Sequence, residues 1–339
     1  MPEFVSRQPH ALTSTSTDTR VLETIREQGT HVAHVAIIGN GQLGGGVARI
    51  LGARADITLT GPTSREEQAA ALASGADVVV IATGTRLADV SSAIDSAVRA
   101  GSNVIVSAEE SAYPWAVDDS VAERLDTLAQ SHGVTVLGCG LNPGLIFDAL
   151  LITLLGAVVS TRKIDVTRTV DISGFGPAVR ARLGLGVSRR DFEQGLQRGE
   201  ILGHAGFPQS ISLVAQTLGV DVQRIDTSIE PILLDDLTVG VKQIYTGIVG
   251  GEDWYRATFI GHVDTAAAGL RVSDEFRIDA SEPLHCVIDP GISSQSGSQA
   301  MVANSIDRVL NAPPGWLTVA EVPPAYPYFS PQTNTTIRK

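Results

Sequence analysis

Cysteine is nearly absent from this 339-residue chain, which has only Cys139 and Cys286. Neither stands in metal-ligand spacing, so a disulfide framework and a structural zinc site are both excluded, and both thiols are expected in the core. Positive charge is also in deficit. The 25 Lys and Arg against 37 Asp and Glu give a formal net charge of −12. No basic run is interleaved with aromatics, so a phosphate backbone is repelled and nucleic acid is not an expected partner. Long apolar runs are missing: none reaches the roughly 18 to 20 residues needed to span a bilayer, which argues against a membrane protein. The polar start "MPEFVSRQPHALTSTSTDTR" has no apolar h-region, so residues 1–30 are expected to form a flexible leader on a cytoplasmic protein. What the chain does have is 43% hydrophobic residues, enough at this length to give roughly two domains a core each.

Over residues 31–141, short apolar runs alternate with segments of helical length: "VAHVAIIG", "DITLTG", "ADVVVIATG", "SNVIVSAEE" and "HGVTVLGCG". Strands that are apolar throughout, separated by helices, predict a parallel sheet covered on both faces, so the first domain is a doubly wound α/β unit. After "GLNPGL" the texture changes. "KIDVTRTVDIS", "VKQIYTGIV", "WYRATFIGHV" and "EFRIDA" are longer alternating runs with no regular helices between them. They predict a second α+β domain on a mostly antiparallel sheet over residues 142–295. Residues 296–339 are expected to return to the first domain through one amphipathic helix, "SQAMVANSIDRVLNA", stopped by "PPGW".

The run "VAIIGNGQLGGGVARIL" sets Gly39, Gly41 and Gly44 in GxGxxG spacing between an apolar strand and a helix. Glycines there let the backbone of Asn40, Gln42 and Leu43 approach a pyrophosphate whose charge the helix N-terminus favours. The first domain is thus a dinucleotide-binding Rossmann domain. An NAD site usually places an acid at the end of the second strand, about 20 residues on, to bind the ribose hydroxyls. Here that point falls in "LTGPTSREE", where Thr60, Thr63 and Ser64 precede Arg65 and no acid intervenes. A 2′-phosphate suits that composition, so NADP(H) is expected to be preferred, with NAD(H) possible. A structural reading coexists with it: Ser64 and Glu67 fit the S-x-x-E capping box that opens a helix. Thr83, Gly84 and Thr85, after the third strand, lie where a bound cofactor would run.

The fourth strand ends on two acids, "SAEE", toward the crevice where open α/β sheets bind ligands. Ser107 and Glu110 fit a second capping box, which leaves Glu109 without a structural task. Neither Y-x-x-x-K nor zinc-ligand spacing occurs, against simple alcohol dehydrogenation.

"AEESAYPW", "GLNPGLIFDAL", "GHAGFPQS" and "LNAPPGWLTVAEVP" together resemble the native amine dehydrogenases and the related 2,4-diaminopentanoate dehydrogenases, distant relatives of dihydrodipicolinate reductase. The resemblance runs from Val32 onward. It implies a homodimer, a second domain carrying most of the substrate pocket, and NAD(P)H-dependent reductive amination of small ketones and aldehydes with ammonia. It gives Glu109 the catalytic role, with Ala108 where the family usually has Cys. A carboxylate there would stabilise a cationic iminium and carry protons for the attacking ammonia and departing water. Leu141, Ile146 and Phe147 are apolar around the "GLNPGL" turn and by default pack in a core, although the resemblance implies that this neighbourhood shapes the pocket. It also aligns His204 with a pocket position, where a lone histidine is otherwise a surface or structural residue. Arg168 stands on an alternating strand and either binds substrate as a donor fork or pairs with a structural acid. Asn142 either contacts the nicotinamide or substrate, or serves the turn with Pro143 and Gly144. A 2,4-diaminopentanoate dehydrogenase and a non-catalytic nucleotide sensor are the rival functions.

Overall fold

Five short apolar runs become the parallel strands of the first sheet: β1 (Ala33–Ile38), β2 (Ile57–Thr63), β3 (Val78–Ile81), β4 (Asn103–Val106) and β5 (Thr135–Gly138). They are seen in a computed structural model that describes residues 32–328. The leader expected over residues 1–30 lies outside the described residues, as does the end of the C-terminal tail. The strand order is β12-β5-β4-β3-β1-β2, where β12 is Gly315–Leu317, and every pairing is parallel. The four residues of β3 are inaccessible to solvent, as a strand covered on both faces requires. Because β2 and β3 pair on opposite sides of β1, the order reverses there and a crevice opens beyond the strands' carboxyl ends. The covering helices include α1 (Gln42–Leu51), α2 (Gln68–Leu72), α3 (Leu87–Arg99) and α4 (Asp119–His132).

After β5 the chain crosses through α5 (Ala149–Leu155) into a second six-stranded sheet. Its strands are β6 (Thr161–Asp171), β7 (Arg224–Leu234), β8 (Leu237–Val249), β9 (Glu252–His262), β10 (Ser273–Ala280) and β11 (Leu284–Ile288). The order is β11-β10-β6-β9-β8-β7, antiparallel except at β6 and β9. Adjacent register rows separate the faces. Phe276, Val166, Ala257 and Tyr245 form one row against the core, and Glu275, Thr167, Thr258 and Ile244 form the next.

Between β6 and β7 the chain is helical: "SISLVAQTL" carries a helical pattern, but two further helices precede it where none was expected. There the structure has α6 (Pro177–Arg182), α7 (Arg189–Gln197) and α8 (Phe207–Leu218). The first two are hard to see in sequence because α6 buries no residue and α7 buries only Phe192 and Gly195, so an apolar stripe is lacking.

The single helix expected near the C-terminus is two: α9 (Ser294–Ala303) and α10 (Ile306–Leu310). At the break, the Ser305 hydroxyl donates back to the Met301 carbonyl at 2.7 Å and competes with the helical ladder. The α9 helix lies on α1, where Gln299 Nε2 donates to the Gln42 carbonyl at 3.0 Å. A Cβ on Gly46 would fall 2.0 Å from that glutamine side chain. Of the two thiols, Cys139 is buried as expected, whereas Cys286 on β11 is half-buried.

Candidate active site

The glycine loop joins β1 to α1 at the crevice. Gly39 has φ +112°, and a Cβ there would sit 2.5 Å from the Ala82 carbonyl oxygen. A Cβ on Gly44 would sit 1.8 Å from the Gly39 oxygen, so this residue lets helix and loop touch. Gly41 faces open space and caps α1 without any side chain bonding the helix N-terminus. The amides of the first turn are therefore free for an anion.

At the end of β2, the Thr63 carbonyl accepts the Gly39 N–H at 2.8 Å, and its hydroxyl donates to the Ile37 carbonyl at 3.3 Å. Ser64 and Glu67 do bond reciprocally, the Ser64 hydroxyl to the carboxylate and the Glu67 N–H to the hydroxyl. Arg65 is exposed beside them. Thr60 lies inside β2, its hydroxyl bonded to His34 Nε2 at 2.9 Å, and so stands apart from this group.

The two acids after β4 enter a 3₁₀ turn, Glu109–Ala112. The expected Ser107–Glu110 capping box does not form: Ser107 donates to the Ile81 carbonyl, and Glu110 Oε2 accepts the Leu87 N–H at 2.7 Å. Glu110 thus caps α3, the neighbouring helix, where the positive end of the dipole favours a carboxylate. Glu109 turns the other way, into a cleft of about 280 Å³. Its side chain is 19% exposed, and burial pushes its carboxyl above the ordinary carboxylate range, opposed by the Arg182 guanidinium.

Arg182, at the end of α6, escaped the sequence reading. Its Nη2 meets Glu109 Oε1 at 3.2 Å and its Nη1 donates to the Thr85 hydroxyl at 2.9 Å. Both contacts are long-range, and no local pattern announces them.

The crossover turn supplies the floor. Gly140, Leu141, Asn142 and Pro143 line the cleft. Asn142 Nδ2 is buried without a partner. The turn is held from behind by Asp148, fully buried, which accepts the Gly144 and Ala149 amides at 2.8 Å and the Ser210 hydroxyl at 2.9 Å. Ile146 and Phe147 do not reach the cleft. Both are fully buried in the second domain's core, where Phe147 packs against Phe207, so they serve packing.

His204 lines the same cleft as Glu109. Its Nδ1 lies 2.8 Å from the Ala205 carbonyl, which can only accept, so Nδ1 holds the proton and Nε2 is left as an acceptor. Gln243 clamps the backbone on both sides, accepting the His204 N–H at 2.7 Å and donating to its carbonyl at 3.0 Å. Burial, with Arg182 adding repulsion, drives the imidazole pKa down to about 3. Gly206, at φ +97°, lets this loop close on the crossover turn: a Cβ there would fall 2.3 Å from Pro143 Cδ.

Arg168 is not in the cleft. It is buried and bonded to Asp274, to the Ile292 carbonyl at 2.6 Å and to the Ser294 hydroxyl at 3.0 Å, which makes it the anchor of the segment leading into α9. Among the described residues, no group of three or more His, Cys, Asp or Glu could hold a metal, and no helix is long and apolar enough to cross a membrane.

A sequence profile of the 2,4-diaminopentanoate dehydrogenase C-terminal domain matches residues 145–332. The 2,4-diaminopentanoate dehydrogenase of Acetoanaerobium sticklandii is 33% identical over 261 residues, covering 73% of this chain and 74% of that protein. The structure of an amine dehydrogenase from Mycobacterium smegmatis superposes with a TM-score of 0.75 at 20% identity, over 88% of this chain and 100% of that one, which shows a shared fold.

Proposed function

The chain belongs to the 2,4-diaminopentanoate dehydrogenase family and is an oxidoreductase acting on CH–NH2 donors, and on that premise we propose that it is an NADPH-preferring amine dehydrogenase. In the synthetic direction it would condense ammonia with a small ketone or aldehyde and reduce the resulting iminium to a primary amine. The observation that carries this reading is Glu109: a single desolvated carboxylate in the cleft, at the carboxyl end of a central strand and within reach of the dinucleotide crevice.

The residues fit a nicotinamide dinucleotide. The free amides of α1 and the close approach at Gly39 and Gly44 suit a pyrophosphate, and the orphaned Nδ2 of Asn142 is a buried donor awaiting an acceptor. Thr63, Ser64 and Arg65 would hold a 2′-phosphate, with Thr83, Gly84 and Thr85 along the cofactor's path. The bound cofactor would supply the hydride.

Proton handling falls to the chain. Ammonia adds to the substrate carbon and must lose a proton, and the carbinolamine oxygen must gain one to leave as water. Glu109 can take the first and return the second, and its raised pKa brings it nearer the range where both transfers are efficient. Once water has left, its carboxylate faces the iminium cation in a site shielded from solvent. His204 stays neutral, so it takes no part as an acid, and its free Nε2 is an acceptor for a substrate N–H.

The test is NADPH oxidation with a panel of small carbonyl compounds, with and without ammonium. Turnover that needs ammonium and yields primary amine is expected. Equal rates without ammonium, with alcohol as product, mean a ketoreductase, and cofactor binding without turnover means a sensor. The family membership favours a second reading, in which 2,4-diaminopentanoate itself is the substrate, and its oxidation in the reverse direction decides between them. A cytoplasmic homodimer completes the reading, and sedimentation velocity tests the dimer.

A further inference from the structure

Two strand ends of the first domain and the loop of His204 are tied together by one residue that the chemistry above does not use. Arg182 ends α6, a helix with no buried residue of its own, yet its side chain is only 16% exposed. Its guanidinium crosses to the first domain, with one nitrogen on the Thr85 hydroxyl after β3 and another on Glu109 after β4. Its carbonyl accepts the amides of Leu202 and Gly203, both at 3.1 Å, and so fixes the loop that presents His204. Its Nε is buried and has no partner.

We infer that Arg182 is the positioning residue of this site, a guanidinium carried on the second domain that fixes the Glu109 carboxylate at the carboxyl end of the first sheet. The inference rests on Glu109 being the acid/base of the proposed reaction. An arginine fork suits the task because its two terminal nitrogens lie in one plane and can hold two acceptors in fixed relation. At 3.2 Å the contact to Glu109 is longer than the usual 2.7 to 2.9 Å of a charge-assisted bond. Glu109 is thereby oriented without being locked as a permanent ion pair.

The charges around Glu109 are few. Arg182 approaches from α6, His204 from the following loop is neutral, and Glu110 is turned toward α3. Arg182 is therefore the one nearby charge among the described residues that favours the ionised carboxylate against the burial that opposes it. Removing it should raise the Glu109 pKa further and leave the carboxylate loose in orientation.

The experiment compares the wild-type enzyme with Arg182→Met and Arg182→Lys. The protein is labelled with ¹³C-glutamate, and the Glu109 carboxyl signal is the one missing from Glu109→Gln. In Arg182→Met the Glu109 titration should move up by about one to three pH units. The pH profile of kcat should move with it, and NADPH affinity should change little. Arg182→Lys should restore the titration, because the charge remains, but not the full rate, because an ammonium cannot bridge Thr85 and Glu109 as a fork. An unmoved Glu109 titration in both variants would overturn the inference and leave Arg182 as a tie between domains. Should Arg182→Met fail to fold, Arg182→Lys decides alone: wild-type titration with reduced kcat supports the inference, and wild-type kcat overturns it. If the wild-type enzyme shows no ammonium-dependent turnover, the proposed function fails, while the carboxyl titration still judges Arg182.

Discussion

Glu109 and Glu110 are adjacent, chemically identical and turned to opposite tasks, and the difference is geometric. A 3₁₀ turn starts at Glu109, so successive side chains diverge: one points into the cleft, and the other reaches the first amide of α3. Glu109→Gln keeps the shape and removes the charge, so turnover should fall by about 10² to 10⁴ while NADPH still binds. Glu110→Gln can still accept the Leu87 N–H but gives up its charge at a helix N-terminus, at a cost of about 0.3 to 1 kcal/mol in stability with the rate nearly unchanged. Melting temperature, cofactor affinity and kcat measured on both variants check this pair. A dead Glu110→Gln beside an active Glu109→Gln would put the acid/base on the wrong carboxylate. The pair itself was legible in the sequence, because two acids at the end of an apolar strand are conspicuous. The partner of Glu110 was not, since S-x-x-E is a local pattern and the bond that forms runs to a helix 23 residues earlier. Arg168 stood open between a substrate fork and a structural ion pair, and Ile146 and Phe147 between pocket and core, for the same reason: what decides between cleft and core is which long-range neighbour each meets.

The strand and helix elements were read with unequal success, and the reason is burial. Four of the first five strands, β1, β3, β4 and β5, are short, apolar and covered on both faces, so composition alone marks them, whereas β2 at the sheet edge is half-exposed; the glycine spacing places α1 after the first. The α6 helix carries Arg182 but has no apolar stripe, so nothing local marked either the element or its arginine. Thr60 shows the same limit at a strand end: β2 runs on to Thr63, which leaves Thr60 inside the ladder and hands the crevice edge to Thr63, Ser64 and Arg65. Cofactor choice is a property of that element. With no acid at the edge and one exposed arginine beyond it, Arg65→Ala should weaken NADPH binding by about 1.5 to 3 kcal/mol, the size of a hydrogen bond to a charged group, and leave NADH nearly unaffected. Titration with each cofactor measures this. Equal weakening of both would mean that Arg65 supports the Ser64–Glu67 turn and does not read a phosphate.

At the scale of the whole molecule, the cleft should leave a signature in how stability depends on pH, because it holds two groups displaced from their ordinary pKa values in opposite directions. His204 is lowered to about 3, against about 6.5 for a histidine in an unfolded chain. Between those values the unfolded chain binds a proton there and the native state does not, so stability present above about pH 6.5 is lost as pH falls toward 3. Glu109 is raised above its unfolded value, so its contribution is present below about pH 4.3 and is lost as pH rises through the folded value. Asp56 and Asp95, lowered by arginine partners, slope the wild-type curve in acid as well, so the informative quantity is the difference between variant and wild type. His204→Gln should gain in melting temperature relative to wild type as pH falls below 6.5. Glu109→Gln should gain as pH rises above about 4.3, with the gain levelling off once the native carboxyl is fully ionised. Melting curves recorded from pH 4 to 8 check both at once. Differences that stay constant across that range would show that neither group is desolvated in the native cleft, and the proton chemistry assigned to Glu109 would lose its physical basis.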